Sequence, residues 1–451
     1  MSTAGSLQSF IRSKRLRASH WFPIVKVDIQ DIVSLVPKLI CLIGGDDFLL
    51  IDYGHGDFDL NYRCRAVTLY KQLHESHGVV SFKTGSLLCG MPCGNSLTLH
   101  FDSTKLPRPK LLEYLIEAET KIGDLSKAKF PGKKYKLPIS FKAKAQQEST
   151  QRYIETQRPY ASYLPDPMAF VAKNNGFTDS QLRDIFVKSS LMVVAIGFFI
   201  ALPIALPIDP RQRIQSPKMN PSRVHTPEGQ VGWGGSCMAL YNVESPGGYM
   251  NTGLSIPSAD ILGFKNNYSL EKPWLFDDFD QITFYEVSEE QYQGLIQTFR
   301  SGRYKYEYED VVFDMAEHNE LLKSTAEEVK QIHEKQQKAQ AEMDKIEKEL
   351  LDKWNKEKEQ GKVSVDAIEE LLNDPNIIPV EAPVNANVWK VQVKEGDTLK
   401  EDQVVVILEA MKLEINVNAE SNMEGTKVEK LIVKPNDVVE AGKPLMLLRK
   451  S

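Results

Sequence analysis

A lysine near the C-terminus, Lys412, stands where a covalent modification could take place. Runs of alternating apolar and polar residues flank it, and the segment 393–397 recurs in similar form at 433–437. Such alternation, broken by Gly, Asn, Asp and Pro, is typical of short strands joined by tight turns. The repeat predicts two halves packed face to face, with Lys412 exposed at a hairpin tip. Ala410, two residues before it, is small, so we expect a modifying enzyme to reach the amine.

The tetrapeptide that ends at this lysine resembles the attachment motif of biotin carboxyl carrier domains, whose lysine is biotinylated. It reads Glu409-Ala410-Met411-Lys412, and Leu413 stands where that family most often has Met. Lipoyl domains share the fold but usually place other residues at this turn, so Met411 favours biotin over lipoate. The resemblance implies covalent biotin on Lys412, with Ala410 and Met411 beside it. The alternative is an unmodified lysine on a hairpin of an unrelated sandwich domain.

A second candidate site lies mid-chain, where Lys218, Arg223 and His225 form a basic cluster beside glycine-rich segments. Cationic side chains can hold a carboxylate or stabilise the negative charge that develops during group transfer. We expect these three residues and Tyr249 to form the catalytic group. A solvated loop, the alternative, would contain the same residues.

The glycine-rich segments supply the predicted substrate-binding residues. Glycine permits positive φ or close backbone approach, and both let N–H groups point at a ligand oxygen. Ordinary hairpin turns are the alternative use of these glycines. The predicted binding residues are Gly234, Gly235, Ser245, Gly247 and Gly248.

Most of the chain resembles one family, the allophanate hydrolase subunit 1 or Kip-inhibitor-like half of the urea carboxylase carboxyltransferase. Its fold is a cyclophilin-like β fold. Weaker similarity extends from residue 45 into 100–102, and the resemblance continues through 311–318 towards the C-terminus. The blocks that carry it most strongly are 152–159, 164–165, 175–176, 183–185, 207–211, 216–223, 228–235, 245–249, 273–275 and 279–282.

Together the two resemblances imply biotin-dependent carboxylation of urea, or a related small amide, to allophanate. This chain would supply the carrier and one half of the carboxyltransferase, with carboxybiotin as the carboxyl donor. The sequence contains no ATP-grasp region, no amidase signature and no subunit 2-type half. The resemblance therefore implies that ATP and Mg belong to a separate biotin carboxylase. It also implies a biotin protein ligase and a subunit 2-type partner, and we expect no activity from the chain alone.

Two departures from the family pattern weaken the predicted transferase. Where the family usually has Gly-Asp-Val-Tyr-Leu-Gly, residues 197–202 read Gly-Phe-Phe-Ile-Ala-Leu. Where it has Gly-Arg-Thr, residues 253–255 read Gly-Leu-Ser. An acidic residue and an arginine would thereby be lost from the expected substrate cleft. A non-catalytic biotin-carrying scaffold or Kip-inhibitor-like regulatory protein is thus one alternative, and a 5-oxoprolinase-type component is another.

Composition limits the function classes. At 451 residues the chain is long enough for two to four domains, and its formal charge of -6 does not suggest nucleic-acid binding. Its five cysteines are scattered, which predicts a reducing compartment, here taken as the cytoplasm. Cys89 and Cys93 form the one close pair. We expect two core thiols there rather than a metal site, and no metal elsewhere.

Two segments resemble targeting signals. The uncharged run 191–208 approaches the length of a membrane span, but Gly197, Pro203 and Pro207 interrupt it. We interpret it as buried strands with turns, and we predict no membrane association. The first 27 residues contain no acid and five Lys or Arg, which weakly resembles a transit peptide. A disordered basic tail over 1–21 is the simpler interpretation.

The predicted class is α+β, mainly β, with a cyclophilin-like carboxyltransferase half, a long helical arm and a flattened β-barrel biotinyl domain. Strands at 48–53 and 96–101 and helices at 60–73 and 111–122 predict a small α/β unit before it. The predicted boundaries are 1–21 for the basic tail, 22–141 for the α/β unit, 142–309 for the cyclophilin-like domain, 310–361 for the long helix, 362–379 for the linker and 380–451 for the biotinyl domain.

The long helix carries an approximate heptad of apolar residues, interrupted by Thr325 and Gln336. This stripe fits either packing on its own protein or a dimeric coiled coil. Homo-oligomerisation through the helix therefore stays open.

Overall fold

The computed structural model describes residues 24–26, 40–54, 58–76, 78–263, 265, 267–360, 365–410, 413–435 and 437–450. The predicted basic tail 1–21 lies outside these residues, and so do Met411 and Lys412.

The first unit is a five-stranded antiparallel sheet covered by two helices. Its strands are β1 (Ile24–Lys26), β2 (Ile40–Gly44), β3 (Phe48–Asp52), β4 (Leu87–Cys93) and β5 (Ser96–Phe101), in the order β1-β2-β3-β5-β4. Its helices are α1 (Leu60–Glu75) and α2 (Arg108–Ile122). The Asp59 side chain caps α1 by accepting from the Asn61 N–H at 2.8 Å. The helices and strands share one core, as the patterns predicted.

The paired cysteines of this unit are not the core thiols that we predicted. Cys89 and Cys93 are both exposed. They lie on β4, an edge strand with one face in solvent, and residues four apart on a strand point to the same side.

The second unit is built on an eight-stranded sheet with the order β13-β10-β11-β8-β7-β14-β6-β15. Its strands are β6 (Lys129–Ile139), β7 (Leu191–Gly197), β8 (Leu202–Pro207), β10 (Gln230–Gly234), β11 (Cys237–Leu240), β13 (Met250–Leu254), β14 (Gln281–Glu286) and β15 (Glu307–Asp314). A separate ribbon pairs β9 (Arg223–Thr226) with β12 (Ser245–Gly247). The helices are α3 (Lys144–Thr156), α4 (Pro167–Asn174), α5 (Asp179–Lys188) and α6 (Glu289–Arg300), with a 3-10 turn at Pro210–Gln212.

The predicted domain boundaries assigned two strands of this sheet, wholly or in part, to other units. The strand β6 was placed in the first unit, but it pairs with β14 and β15 in the second. The segment 310–314 was assigned to the long helix, but it belongs to β15. Its charges resemble those of an exposed helix because β15 is an edge strand with cross-strand ion pairs, such as Lys134 to Glu309 at 2.7 Å.

The uncharged run 191–208 forms the hairpin of β7 and β8, as we predicted. Residues 191–194 are fully buried on both faces of the sheet, which explains their continuous apolar character. None of the helices in the described ranges combines the length and apolar character that crossing a membrane requires.

The helical arm consists of α7 (Met315–Ser324), α8 (Ala326–Gln360) and α9 (Val365–Leu372). At 35 residues, α8 is about 50 Å long. It packs on its own chain, against α4. Gln336, the polar interruption of the heptad, is buried and donates to Asn175 Oδ1 at 3.0 Å and to the Arg213 carbonyl at 2.9 Å. Packing within the chain thus accounts for part of the stripe, whereas Ile346 is 42% exposed, and the coiled-coil dimer stays a prediction.

The C-terminal unit contains two small sheets around one core. One sheet contains β16 (Ile377–Glu381), β22 (Pro444–Arg449) and β20 (Lys427–Leu431). The other contains β19 (Leu413–Asn418), β18 (Val404–Ala410), β17 (Ala386–Val391) and β21 (Val438–Val439), and a 3-10 turn lies at Ser421–Met423.

The internal repeat of this unit is visible in its turns. Lys394 N–H donates to Asp397 Oδ2 at 2.8 Å, and Lys434 N–H donates to Asp437 Oδ2 at 3.0 Å. The same side-chain turn therefore starts both halves, as the repeat predicted. The mainly-β class with added helices is confirmed for the chain as a whole.

Candidate functional site

The predicted attachment point lies in the hairpin between β18 and β19. Ala410 is half-buried and pairs with Leu413, which is 67% exposed. The pairing leaves a two-residue connection between the strands, and this connection is Met411-Lys412. The strand β19 is at the edge of its sheet. The exposed Leu413 on this edge strand leaves the adjacent side of the hairpin open to a modifying enzyme.

The mid-chain cluster is brought together by backbone hydrogen bonds. Ser216 and Gly235 exchange two of them, at 2.9 and 2.7 Å. Met219 N–H donates to the Gly248 carbonyl at 2.6 Å. The loop 216–223 therefore lies against both glycine-rich segments, and the structure places the predicted catalytic and substrate-binding residues in one region.

Helix α3 fixes this loop, a role that the sequence reasoning missed. The Tyr153 hydroxyl donates to the Pro221 carbonyl at 2.9 Å. Gln157 Nε2 donates to the Ser222 carbonyl at 2.7 Å, and Gln157 Oε1 accepts from the Val224 N–H at 3.2 Å. The family block 152–159 thus acts as a scaffold for the loop that carries Lys218 and Arg223.

Arg223 is an internal residue with 1% of its surface exposed. Its guanidinium donates to the Tyr249 carbonyl at 2.6 Å and to Thr226 Oγ1 at 3.2 Å. Burial lowers its pKa to about 10, which leaves it charged at neutral pH. Because its donors are already used within the protein, the geometry favours positioning of Tyr249 over direct binding of a ligand.

Lys218, Tyr249 and His225 differ in accessibility. Lys218 is exposed, and its Nζ lies 5.3 Å from the centre of the Tyr249 ring. Burial raises the pKa of Tyr249 to about 12, so its phenol is neutral at pH 7. Burial lowers the pKa of His225, which favours the neutral imidazole. Lys218 is thus the accessible cation of the three predicted basic residues.

Only one of the predicted binding glycines adopts positive φ, namely Gly235 at 61°. At Gly234 a Cβ atom would lie 2.5 Å from the Tyr249 ring, so glycine makes room for this aromatic side chain. The remaining predicted residues lie in or beside the ribbon strand β12, and they are Ser245, Gly247 and Gly248. Their contact with substrate stays a prediction.

A cleft of about 440 Å³ separates the loop from the C-terminal unit, and the sequence reasoning missed it. One wall contains Arg152, Gln157 and Arg223. The other contains Trp389, on the strand β17 that pairs with β18, and Glu414, on β19 of the hairpin that holds the predicted attachment point. The signal in the sequence was Trp389, a tryptophan in a predicted strand of the C-terminal unit. Its position in the cleft depends on contact between the two units.

Comparisons with known proteins agree with this two-part site. Residues 41–257 match the carboxyltransferase domain, subdomain C and D, and residues 373–448 match a family described as biotin-requiring enzyme. A protein of Emericella nidulans provisionally named urea carboxylase is 60% identical over 90% of this chain and 33% of its own length. The urea amidolyase of Lachancea kluyveri is 33% identical over 97% of this chain and 23% of its own length.

The crystal structure of the Kluyveromyces lactis urea carboxylase superposes with a TM-score of 0.72 at 28% identity. The match covers 91% of this chain and 35% of that enzyme. The chain matches the C-terminal region of urea carboxylases and urea amidolyases. It spans at most about a third of the length of these relatives, and it corresponds to their carboxyltransferase and biotin-carrier portion.

The two departures from the urea carboxylase pattern do not share a cleft, contrary to our expectation. Leu254 is 1% exposed in the main core, where its backbone bonds to Ser140. Phe198 is 85% exposed in the turn between β7 and β8. The lost arginine and acidic residue therefore belong to separate places in the fold.

The turn 198–201 between β7 and β8 has an unusual backbone. Phe198, Ile200 and Ala201 adopt positive φ of 65°, 45° and 50°. Asn242 Nδ2 donates to the carbonyls of Ile200 and Ala201, at 2.9 Å each, and so holds the turn in this shape. Such strain persists only where the surrounding structure imposes it. Within the described residues, no group of three His, Cys, Asp or Glu side chains is placed to hold a metal.

Proposed function

We propose that this chain carries biotin on Lys412 and supplies one half of the carboxyltransferase in the biotin-dependent carboxylation of urea to allophanate. The observation that supports this proposal is the position of the β18–β19 hairpin, because its residue Glu414 lines the same cleft as Ser222 of the loop 216–223. The names of the relatives support urea as the acceptor. A related small amide is the closest alternative acceptor.

Biotin bound at Lys412 would supply a ureido nitrogen that accepts and releases a carboxyl group. The residues of the chain would position this group and the acceptor. Lys218 places a positive charge at the accessible side of the loop, where a carboxylate can be held. Arg223 fixes the backbone of Tyr249. The segment predicted as a linker, 362–379, contains α9 and the start of β16, and tethering through α8 and α9 keeps the carrier at an effective concentration on the order of millimolar.

The proposal requires partners that supply the remaining steps. We propose a biotin protein ligase, a biotin carboxylase that holds ATP and Mg, and a subunit 2-type carboxyltransferase half. The chain alone should not convert urea. We also propose a cytoplasmic location, which is supported by five free thiols among the described residues.

Intact mass after co-expression with a biotin protein ligase tests the attachment site. We expect one biotin-sized increase in the parent chain and none in Lys412→Arg, because a guanidinium does not form the amide. Lys434→Arg, at a lysine of the second half-repeat, is the matched control and should retain the increase. An unmodified parent, or a modified Lys412→Arg variant, would exclude this lysine as the carrier.

Reconstitution tests the acceptor. With purified partners and the biotinylated chain, ATP turnover should depend on urea rather than on guanidine, short amides or oxoproline. Oxoproline-dependent turnover would favour the 5-oxoprolinase-type alternative. Inactivity of a fully assembled, biotinylated complex would favour the regulatory scaffold, with the altered turn 198–201 as its structural basis.

A further inference from the structure

Side chains of the C-terminal unit and of the second unit meet in a group that we name the Arg152 contact: Arg152, Trp389 and Glu414. The guanidinium carbon of Arg152 lies 5.0 Å from the centre of the Trp389 ring. Its Nη2 lies 3.5 Å from Glu414 Oε1. Arg152 belongs to α3, the helix that scaffolds the loop 216–223, whereas Trp389 and Glu414 belong to the carrier sheet. The contact therefore connects the scaffold of one predicted site to the strands that support the other.

The chemistry of the contact makes stacking its main component. Arginine stacks on aromatic faces through its planar, weakly hydrated guanidinium, and tryptophan is the best aromatic partner. The ion pair is weaker, because its atoms are 3.5 Å apart and its side chains are 38% and 57% exposed. Trp389 on β17 is only half-buried even with Arg152 above it. A large aromatic side chain at this half-buried position fits a role in docking the carrier on the second unit.

The ion pair of the contact is exposed to solvent, which favours reversible docking. Apart from the residues around the cleft, the carrier meets the long helix through Lys434 Nζ, which lies 3.4 Å from the Glu357 carbonyl. Exposed charge contacts of this kind are screened by salt. A carrier domain that moves between two reaction centres has to bind each of them weakly enough to dissociate again.

We propose that Arg152 is a positioning residue, which holds the carrier hairpin at the cleft by stacking on Trp389 and releases it reversibly. Glu414 adds orientation, because it lies two residues after Lys412 on β19. This role rests on the proposed function of the chain as a biotin carrier. Docking itself needs neither biotin nor partner proteins, so it can be tested when the transferase activity is absent.

Fluorine NMR of the full chain labelled with 5-fluorotryptophan tests the proposal. The chain has five tryptophans, and Trp389→Phe assigns the relevant resonance. Trp233, which is 1% exposed in the main core, serves as an internal reference for the folded second unit. In Arg152→Ala we expect the Trp389 line to narrow about twofold as the carrier moves independently, while the Trp233 line keeps its width. High salt should narrow the parent line in the same direction.

Lys390→Ala is the matched control, because the Lys390 ammonium also lies over the Trp389 ring, at 4.6 Å, but belongs to the carrier itself. Its loss should shift the Trp389 resonance without narrowing it. Arg152→Lys, which keeps the charge and loses the planar stack, should give an intermediate width. An unchanged Trp389 line width in Arg152→Ala, or equal narrowing in Lys390→Ala, would overturn the proposal. A change in Trp233 alone would likewise count against it.

Discussion

The C-terminal unit, which we call the carrier unit, and the second unit, which we call the transferase unit, place their candidate residues by different means. The attachment hairpin is formed by one continuous segment, 404–418, whose strands pair with each other. The mid-chain cluster is assembled from 152–157, 216–224, 230–235 and 245–249, which are joined by hydrogen bonds across the fold. A site built from one hairpin depends on local pairing, whereas an assembled site depends on the internal packing of the whole unit.

The two units differ in the same way in their buried charge. The transferase unit encloses Arg223, and His318 of α7 packs against it with 3% of its surface exposed. In the carrier unit the described groups with shifted pKa values include Glu395 and Glu429, which form ion pairs at the surface. We therefore expect substitutions of buried charged residues, and a decrease in pH, to destabilise the transferase unit more than the carrier unit.

The largest expected effect is that of Arg223→Met. Methionine retains much of the apolar volume but leaves the Tyr249 carbonyl and Thr226 without their charged donor. We expect a loss of about 3 kcal/mol in the free energy of unfolding, since a buried acceptor left unpaired is costly. Guanidinium chloride unfolding followed by circular dichroism measures it, and the transition of the carrier unit should stay in place.

Lys218→Met separates this structural role from catalysis. Lys218 is exposed, so its replacement should change stability by no more than about 0.5 kcal/mol. If it holds a carboxylate, carboxyl transfer in the reconstituted enzyme should still fall. If Arg223→Met and Lys218→Met destabilise the chain equally, Arg223 has no structural role that Lys218 lacks, which would contradict this prediction.

Acid should destabilise the transferase unit before the carrier. Burial lowers the pKa of His318 to about 4, whereas an unfolded histidine titrates near 6.5. Between these values the unfolded chain binds the extra proton, so stability falls as pH decreases from about 6.5 to 4, by roughly 3 kcal/mol in total. Thermal unfolding at pH 7 and at pH 4.5 measures this loss, and His318→Gln should reduce it.

Two comparisons sharpen the acid prediction. His333 is exposed on α8, so His333→Gln should leave the pH dependence as it is in the parent. The carrier carboxylates Glu395 and Glu429 have pKa values lowered below their ordinary 4.5, so their contribution is lost only at lower pH. A carrier transition that moves together with the transferase transition between pH 6.5 and 4.5 would contradict the model of two differently built units.

The difference between the units also determines what the sequence could predict. The attachment hairpin, the repeated Asp397 and Asp437 turns and the β7–β8 hairpin were all predictable, because alternation and turn residues are local signals. The family resemblance correctly gave the carboxyltransferase and carrier portion.

Non-local features were not predictable. The basic cluster gave no sign that Arg223 is buried while Lys218 is exposed, because burial depends on α3 and the ribbon that cover the loop. Gly234 was interpreted as a ligand-binding position, but its neighbour is the Tyr249 ring, which lies fifteen residues along the chain. The charged strand β15 was assigned to a helix because its pairing partner β6 could not be seen.

The turn 198–201 differs from the carrier hairpin in having a strained backbone, and we expect a small effect on stability when that strain is removed. Ala201 adopts a φ of 50°, a region that costs a residue with a Cβ about 1–2 kcal/mol. Glycine removes this cost but adds about 0.4–1 kcal/mol of unfolded-state entropy. Ala201→Gly should therefore stabilise the chain by about 0.5–1 kcal/mol, measured by the midpoint of chemical unfolding.

Ala205→Gly is the control for that substitution, because Ala205 is buried in the regular strand β8 and has no strain to relieve. It should destabilise the chain by about 1 kcal/mol. If both substitutions destabilise equally, the Asn242 hydrogen bonds hold an ordinary turn rather than a strained one. Opposite signs would show that the second unit maintains an unfavourable backbone at an exposed aromatic turn.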